Sequence, residues 1–224
     1  MQTNKRTLLP VLWKRVIWTL KEVKNEKIKT KKDVLKILDI GCGSGDLAFL
    51  LSKLGNEVYG IEKNVSLAKK ARKRGVKTKI GDIEKGISLY NKKFDVVCLF
   101  QVLEHILDTE KILTECYKLL SRGGIILISI PNIACLSNRI RLFFGLYPRW
   151  VAPSLEHWHP GTHIRAFTKS TIFQLLNSAG FKIEDVKGDC ISFCPSRHLL
   201  IYSTRLGDFF PSLSEILLIK GRKI

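Results

Sequence analysis

Short apolar runs recur along the chain at Val34 to Ile40, Val76 to Ile80, Phe94 to Phe100 and Ile125 to Asn132, with a more mixed run at Glu57 to Glu62. Runs of this kind, without strict alternation of polar residues, read as strands of a parallel sheet covered on both faces by helices. Between them, Leu47 to Leu54, Ser66 to Arg74 and Asp108 to Leu120 place apolar side chains at helical spacing. This βαβ alternation predicts an α/β, doubly wound, Rossmann-like sheet.

Ahead of the first strand, Leu9, Leu12, Trp13, Val16, Leu20 and Val23 form a helical stripe, with Lys14, Arg15, Lys21 and Glu22 opposite. The segment Leu8 to Val23 is too short and too charged to span a bilayer and carries no small-residue cleavage site, so it reads as neither a transmembrane helix nor a signal peptide. A helix packed on the domain is expected. Trp18 and Val11 on its polar face make peripheral membrane contact the alternative. The lysine-rich stretch Lys24 to Lys36 reads as a linker, which divides the chain into an N-terminal helix and basic linker, 1–33, and a main domain, 34–224.

Composition narrows the classes. A chain of 224 residues is one domain of ordinary size. Its formal charge of +18 permits attraction to anionic partners. However, the lysines are spread over helix surfaces with no interleaved aromatics, unlike a nucleic-acid footprint, so nucleic acid is not the expected partner. The six cysteines show no tight metal spacing and read as reduced thiols of a cytoplasmic protein.

The chemistry begins where the first strand runs into Asp39-Ile-Gly41-Cys-Gly43-Ser-Gly45-Asp46 and then a helix. Glycines here permit positive φ and let a ligand approach the backbone. A dinucleotide fingerprint would need a third glycine at position 46, close to the pyrophosphate. Asp46 stands there instead. Together with Asp39 it would repel a diphosphate and suit a ligand carrying an ammonium group and a cationic sulfur. Glu62, ending the second strand roughly twenty residues on, stands where doubly wound folds hold ribose hydroxyls.

From Ile37 to Asn132 this ordered set resembles the class I S-adenosylmethionine-dependent methyltransferases. The resemblance implies a seven-stranded sheet with strands one to five parallel. Phe181 to Val186 and Ile216 to Lys220 would supply the C-terminal pair, the last strand antiparallel, and a lid insertion of about 133–165 would follow strand five. It implies S-adenosyl-L-methionine as cofactor, held by Asp39, Gly41, Gly43, Gly45, Glu62, Asp82, Ile83 and Gln101. Asp82 and Ile83 would flank adenine, and the leading helix would cover the ligand site. Cys42 reads as a small filler rather than a reactive thiol.

Two segments reach the acceptor end: Gln101 to His105, and the aromatic and basic lid with Arg139, Arg141, Phe143, Phe144, Tyr147, Arg149, Trp150, His157, Trp158, His159 and His163. Glu104-His105, then Gly161-Thr-His163 and Phe167-Thr168 before a helix over Lys169 to Ala179, is similar to the ubiquinone-biosynthesis O-methyltransferases and, more loosely, to small-RNA 3′-end methyltransferases. In those families a Glu-x-x-Glu-His motif and a later His gather around a divalent metal. Gln101 replaces the first Glu here and removes a charge from such a site, so no metal is expected. His105 and His163 are the candidate bases for a small-molecule acceptor. Ile130-Pro-Asn132 with Arg139-Ile-Arg141 also resembles the methionine-biosynthesis protein W family, in which the fold serves a partner enzyme.

Overall fold

The computed structural model describes residues 5–87, 90–149, 151, 163–196 and 199–224; of 5–13, 194–196 and 199–201 it describes the backbone alone. Nine strands and seven α-helices are described. In chain order they are α1 (Lys5–Thr30), β1 (Lys36–Ile40), α2 (Asp46–Lys53), β2 (Glu57–Glu62), α3 (Val65–Lys73), β3 (Lys77–Ile80), β4 (Phe94–Phe100), α4 (Thr109–Leu119), β5 (Leu120–Pro131), α5 (Leu136–Phe143), α6 (Lys169–Ser178), β6 (Phe181–Gly188), β7 (Ile191–Ser196), β8 (Leu199–Ser203), α7 (Thr204–Phe209) and β9 (Ile216–Lys223).

Seven strands form one sheet in the order β3-β2-β1-β4-β5-β9-β6. The first five are parallel, β9 is antiparallel to both neighbours, and the order reverses between β1 and β4. Ligands of open α/β sheets bind outside the carboxyl ends at that reversal. The apolar runs explain the layering: Ile37, Leu38 and Ile40 of β1 and Val96 to Leu99 of β4 are fully buried, with side chains committed to cores on both faces. A two-stranded ribbon of β7 and β8 was not anticipated; it stands apart from the main sheet.

The leading helix departs from the expectation in two ways. It runs on to Thr30, through most of the stretch read as a linker. Its buried face also includes residues assigned to the polar side. Trp18, Thr19, Glu22, Val23 and Glu26 are all buried. The reason lies across the sheet. Lys220 on β9 pairs with Glu22 at 2.9 Å, and Arg222 grips both oxygens of Glu26 at 2.8 Å, while Glu184 on β6 bridges to both cations. Buried carboxylates are tolerated because each meets a cation and hydrogen-bond donors. Trp18 and Val23 join the core, each contributing about 1.5–3 kcal/mol if fully buried. Trp18, 8% exposed, therefore gives no support to membrane contact through this helix.

Of the insertion after β5, α5 and the turn to Arg149 are described, with Val151 bridging to His163. Trp150, His157, Trp158, His159 and Gly161 lie outside the described residues.

Candidate active site

The glycine turn closes on its own surroundings. Gly41, Gly43 and Gly45 take φ of 71°, 54° and 78°. The N–H groups of Gly41 and Cys42 both donate to the Ile61 carbonyl, at 2.8 and 3.2 Å, and tie the turn to β2. A Cβ at Gly41 would lie 2.6 Å from Val102 Cγ2, and one at Gly45 would lie 2.9 Å from Ala71 Cβ. At Gly43 nothing stands within 4 Å, so there the requirement is the left-handed backbone and an open approach. Glu62 secures the mouth of the turn. One oxygen accepts from Gly43 N at 2.9 Å and the other from Asn64 N at 2.8 Å.

Asp39 lies beneath this turn, 4% exposed. Burial pushes its carboxyl up to about 7, Arg15 pulls it down and Glu62 adds to the rise. Asp46 does not share the role expected for it: it is exposed and bonded to Arg74 and Ser44. Asp82 accepts from Glu84 N at 3.1 Å and caps a short turn over Ile83–Lys85, while Ile83 packs on the core. Gly81 N donates to the Glu62 carbonyl at 3.2 Å, which places this pair one strand over from Glu62. Cys42 is a packed thiol, pushed up to about 12 by burial, and is not a nucleophile at neutral pH.

The acceptor end begins at Gln101, a non-glycine residue at φ 57° immediately after β4. That conformation costs about 1–3 kcal/mol and is held here by two bonds: Gln101 N donates to the Ser129 carbonyl at 3.0 Å and its amide to Ser129 Oγ at 3.2 Å. Val102 packs against Gly41, so the two halves of the crevice touch. The turn Leu103–His105 follows. The Glu104 carbonyl accepts from Ile164 N at 3.0 Å and Arg165 N at 3.1 Å, which brings His163 to His105 with ring centroids 5.1 Å apart.

Ligand atoms of Glu104, His105 and His163 lie within 4.8 Å of one another. Glu104 is 1% exposed, and among the described residues neither of its carboxylate oxygens has a hydrogen-bond partner. Burial raises its carboxyl to about 7, with Arg15 opposing. Burial and then the neighbouring His105 lower His163 to about 4, so its imidazole is neutral at physiological pH. A buried carboxylate without a partner beside a neutral imidazole is the donor set a divalent cation takes. The packing fits a metal better than Gln101 alone suggested.

Arg15 was not among the expected site residues, because it stands on the polar side of its helix when read in sequence. In the fold it is the cation shared by both halves of the crevice. Burial lowers its pKa, while Asp189, Asp39 and Glu104 face it and raise it. No local pattern marks such a residue, since its partners lie far along the chain.

Comparison with known proteins agrees with this geometry. A family model described as a methyltransferase domain matches residues 12–186. The ubiquinone biosynthesis O-methyltransferase of Rhizobium johnstonii is 30% identical over 169 residues, covering 72% of this chain and 64% of that protein. The protein of the same name from Cereibacter sphaeroides is 32% identical over 160 residues, covering 69% of this chain. This chain thus spans somewhat less than two thirds of those relatives, 64% and 63%. Magnesium protoporphyrin IX methyltransferase from Synechocystis, solved with bound S-adenosylhomocysteine, shares the fold at a TM-score of 0.62 and 16% identity, over 92% of this chain and 83% of that one. The glycine turn, the acid ending β2 and the β3-β2-β1-β4-β5-β9-β6 sheet are thereby accounted for together: the chain belongs to the methyltransferase domain family and has the class I fold of the S-adenosylmethionine-dependent methyltransferases.

Proposed function

We propose that this protein transfers the methyl group of S-adenosylmethionine to a hydroxyl oxygen of a small molecule. The observation that carries the reading is the cluster of Glu104, His105 and His163 next to Gln101 and Val102, at the same carboxyl end of the sheet as the glycine turn. The names of the ubiquinone-biosynthesis relatives support oxygen as the acceptor atom.

In this reading Gly41, Gly43 and Gly45 cradle the cofactor, Glu62 accepts from its ribose hydroxyls, Asp82 and Ile83 flank its adenine, and Gln101 lines its methyl-donor end. Asp39 and Arg15 are opposite charges for the amino-acid portion. The acceptor oxygen attacks the methyl carbon in line with the departing sulfur. One O–C bond forms, one C–S bond breaks, and the sulfonium charge is discharged. The hydroxyl proton passes to His163 or His105. Alignment and exclusion of water supply most of the acceleration. A positioned base adds about 10²–10⁴-fold.

A second reading of the same cluster is favoured by the unpartnered Glu104 carboxylate. Glu104, His105 and His163 would hold a divalent cation, which would supply Lewis-acid polarisation of an acceptor hydroxyl. Calorimetric titration of chelator-treated protein with Mn²⁺ separates the two. One binding event per chain, abolished in Glu104→Gln, supports the metal; no heat, with chelator leaving turnover intact, supports the bases alone. In either case His163→Ala should bind S-adenosylhomocysteine normally while losing methyl transfer, and in the metal reading Glu104→Gln should do the same. A variant that keeps full turnover refutes the assignment.

A further inference from the structure

Residues 142–147, from the last turn of α5 onward, are all exposed, and every one but Gly145 carries a large apolar or aromatic side chain. Phe143 is 83% exposed and Phe144 69%, and their rings pack edge to face at 5.2 Å. Leu142 and Leu146 flank them. Soluble surfaces leave single apolar residues exposed as a matter of course, but a contiguous protruding group marks an interaction site. A second aromatic pair, Phe209 and Phe210, is 77% and 54% exposed at the end of α7. That pair precedes Ser212, whose carbonyl accepts from the guanidinium of Arg139 at 3.3 Å, and Phe143 lies one helical turn from Arg139 on the same face of α5.

We infer that this face docks on a fluid anionic bilayer, inserting the Phe143–Phe144 pair among the lipid headgroups. Three features select that occupant. The segment 133–149 carries Arg139, Arg141 and Arg149 and no acidic residue, within a chain of net charge +18. A second copy of the chain meeting the same face would set these arginines against one another, because a two-fold interface pairs a patch with itself. The phenylalanines stand out from a helix end and do not line the neighbouring cavity, which is formed by Ala134, Arg139, Thr168, Phe173 and Ser212; such a protruding pair suits a deformable lipid phase. Aromatic insertion beside basic side chains is how interfacial segments hold anionic lipid. Among the described residues no helix is long and apolar enough to cross a membrane, so the contact is peripheral. Val151, just past this run, bridges to His163, so docking would turn the acceptor end of the crevice toward the lipid.

The inference stands apart from the methyl-transfer reading, and its test uses neither cofactor nor acceptor. The full chain is sedimented with vesicles of phosphatidylglycerol and phosphatidylcholine, and with phosphatidylcholine alone. The wild type should bind the mixed vesicles. The double variant Phe143→Ser with Phe144→Ser should bind them at least tenfold more weakly with an unchanged Tm, and Phe209→Ser with Phe210→Ser should act in the same direction. Every charge is retained in these variants, so the loss isolates insertion from simple attraction of a basic protein. Wild-type protein that ignores the mixed vesicles overturns the inference, as does a double variant that binds like wild type. So does a concentration-dependent dimer abolished by the double variant, which assigns the face to a second copy. A lowered Tm without vesicle binding assigns the phenylalanines to packing within the chain and also overturns it.

Discussion

Replacing Glu62 by alanine should weaken cofactor binding about a hundredfold while barely touching the fold. The carboxylate has about four lone-pair sites. Gly43 N and Asn64 N use two of them, one on each oxygen, leaving one site per oxygen for a ribose hydroxyl. A hydrogen bond to a charged acceptor contributes about 1.5–3 kcal/mol, and the lower value is appropriate to a side chain that is only partly buried. Two such bonds make about 3 kcal/mol, or roughly two powers of ten in Kd. Glu62→Gln keeps an oxygen acceptor on one arm and should lose about tenfold. The freed N–H groups sit near solvent, so water replaces their partner. A stability loss of about 1 kcal/mol corresponds to about 2–4 °C in Tm for a domain of this size. Calorimetry with S-adenosylhomocysteine, paired with thermal melts by circular dichroism, reads both effects. An alanine variant that melts normally and binds within threefold of wild type refutes the placement of the ribose at Glu62.

Two further outcomes follow from the buried charges. Arg222→Met should remove about 3 kcal/mol of unfolding free energy in urea, because it strands Glu26, 1% exposed, without the guanidinium that grips both its oxygens; a loss below about 1 kcal/mol would show the pair is not needed to seat α1. Asp39 binds its proton more tightly folded than unfolded, so its contribution to stability falls as pH rises from about 4 to about 7, by at most about 4 kcal/mol; Asp39→Asn should flatten that slope in urea melts across the window, and an unaltered slope contradicts the buried placement.

The legible and illegible parts of the fold divide by the range of the interactions that fix them. The strands were readable because Val96 to Leu99 and Ile125 to Ile128 must be apolar whatever surrounds them when both faces are covered. The glycine turn was readable because a left-handed backbone and the close approach of Val102 to Gly41 leave little choice of residue. Glu26 and its neighbours read as linker because nothing local shows that Arg222, 196 positions away, neutralises it. Arg15 and Trp18 were misjudged for the same cause: besides Val23 and, in part, Leu20 of its own stripe, the helix buries a face chosen by the sheet beneath it. Gln101 was noticed for its chemistry, whereas its left-handed backbone depends on Ser129 of the next strand. Asp46 shows the converse error, a carboxylate assigned to the ligand that folding gives to Arg74.

Methyl transfer to a small hydroxylated molecule is tested most directly by incubating the purified protein with methyl-labelled S-adenosylmethionine and a metabolite extract, then separating small molecules, RNA and protein. A labelled small product carrying an O-methyl group, formed by the wild type and lost in His163→Ala, is the predicted result. Label confined to RNA, or none until a second protein is added, would contradict it.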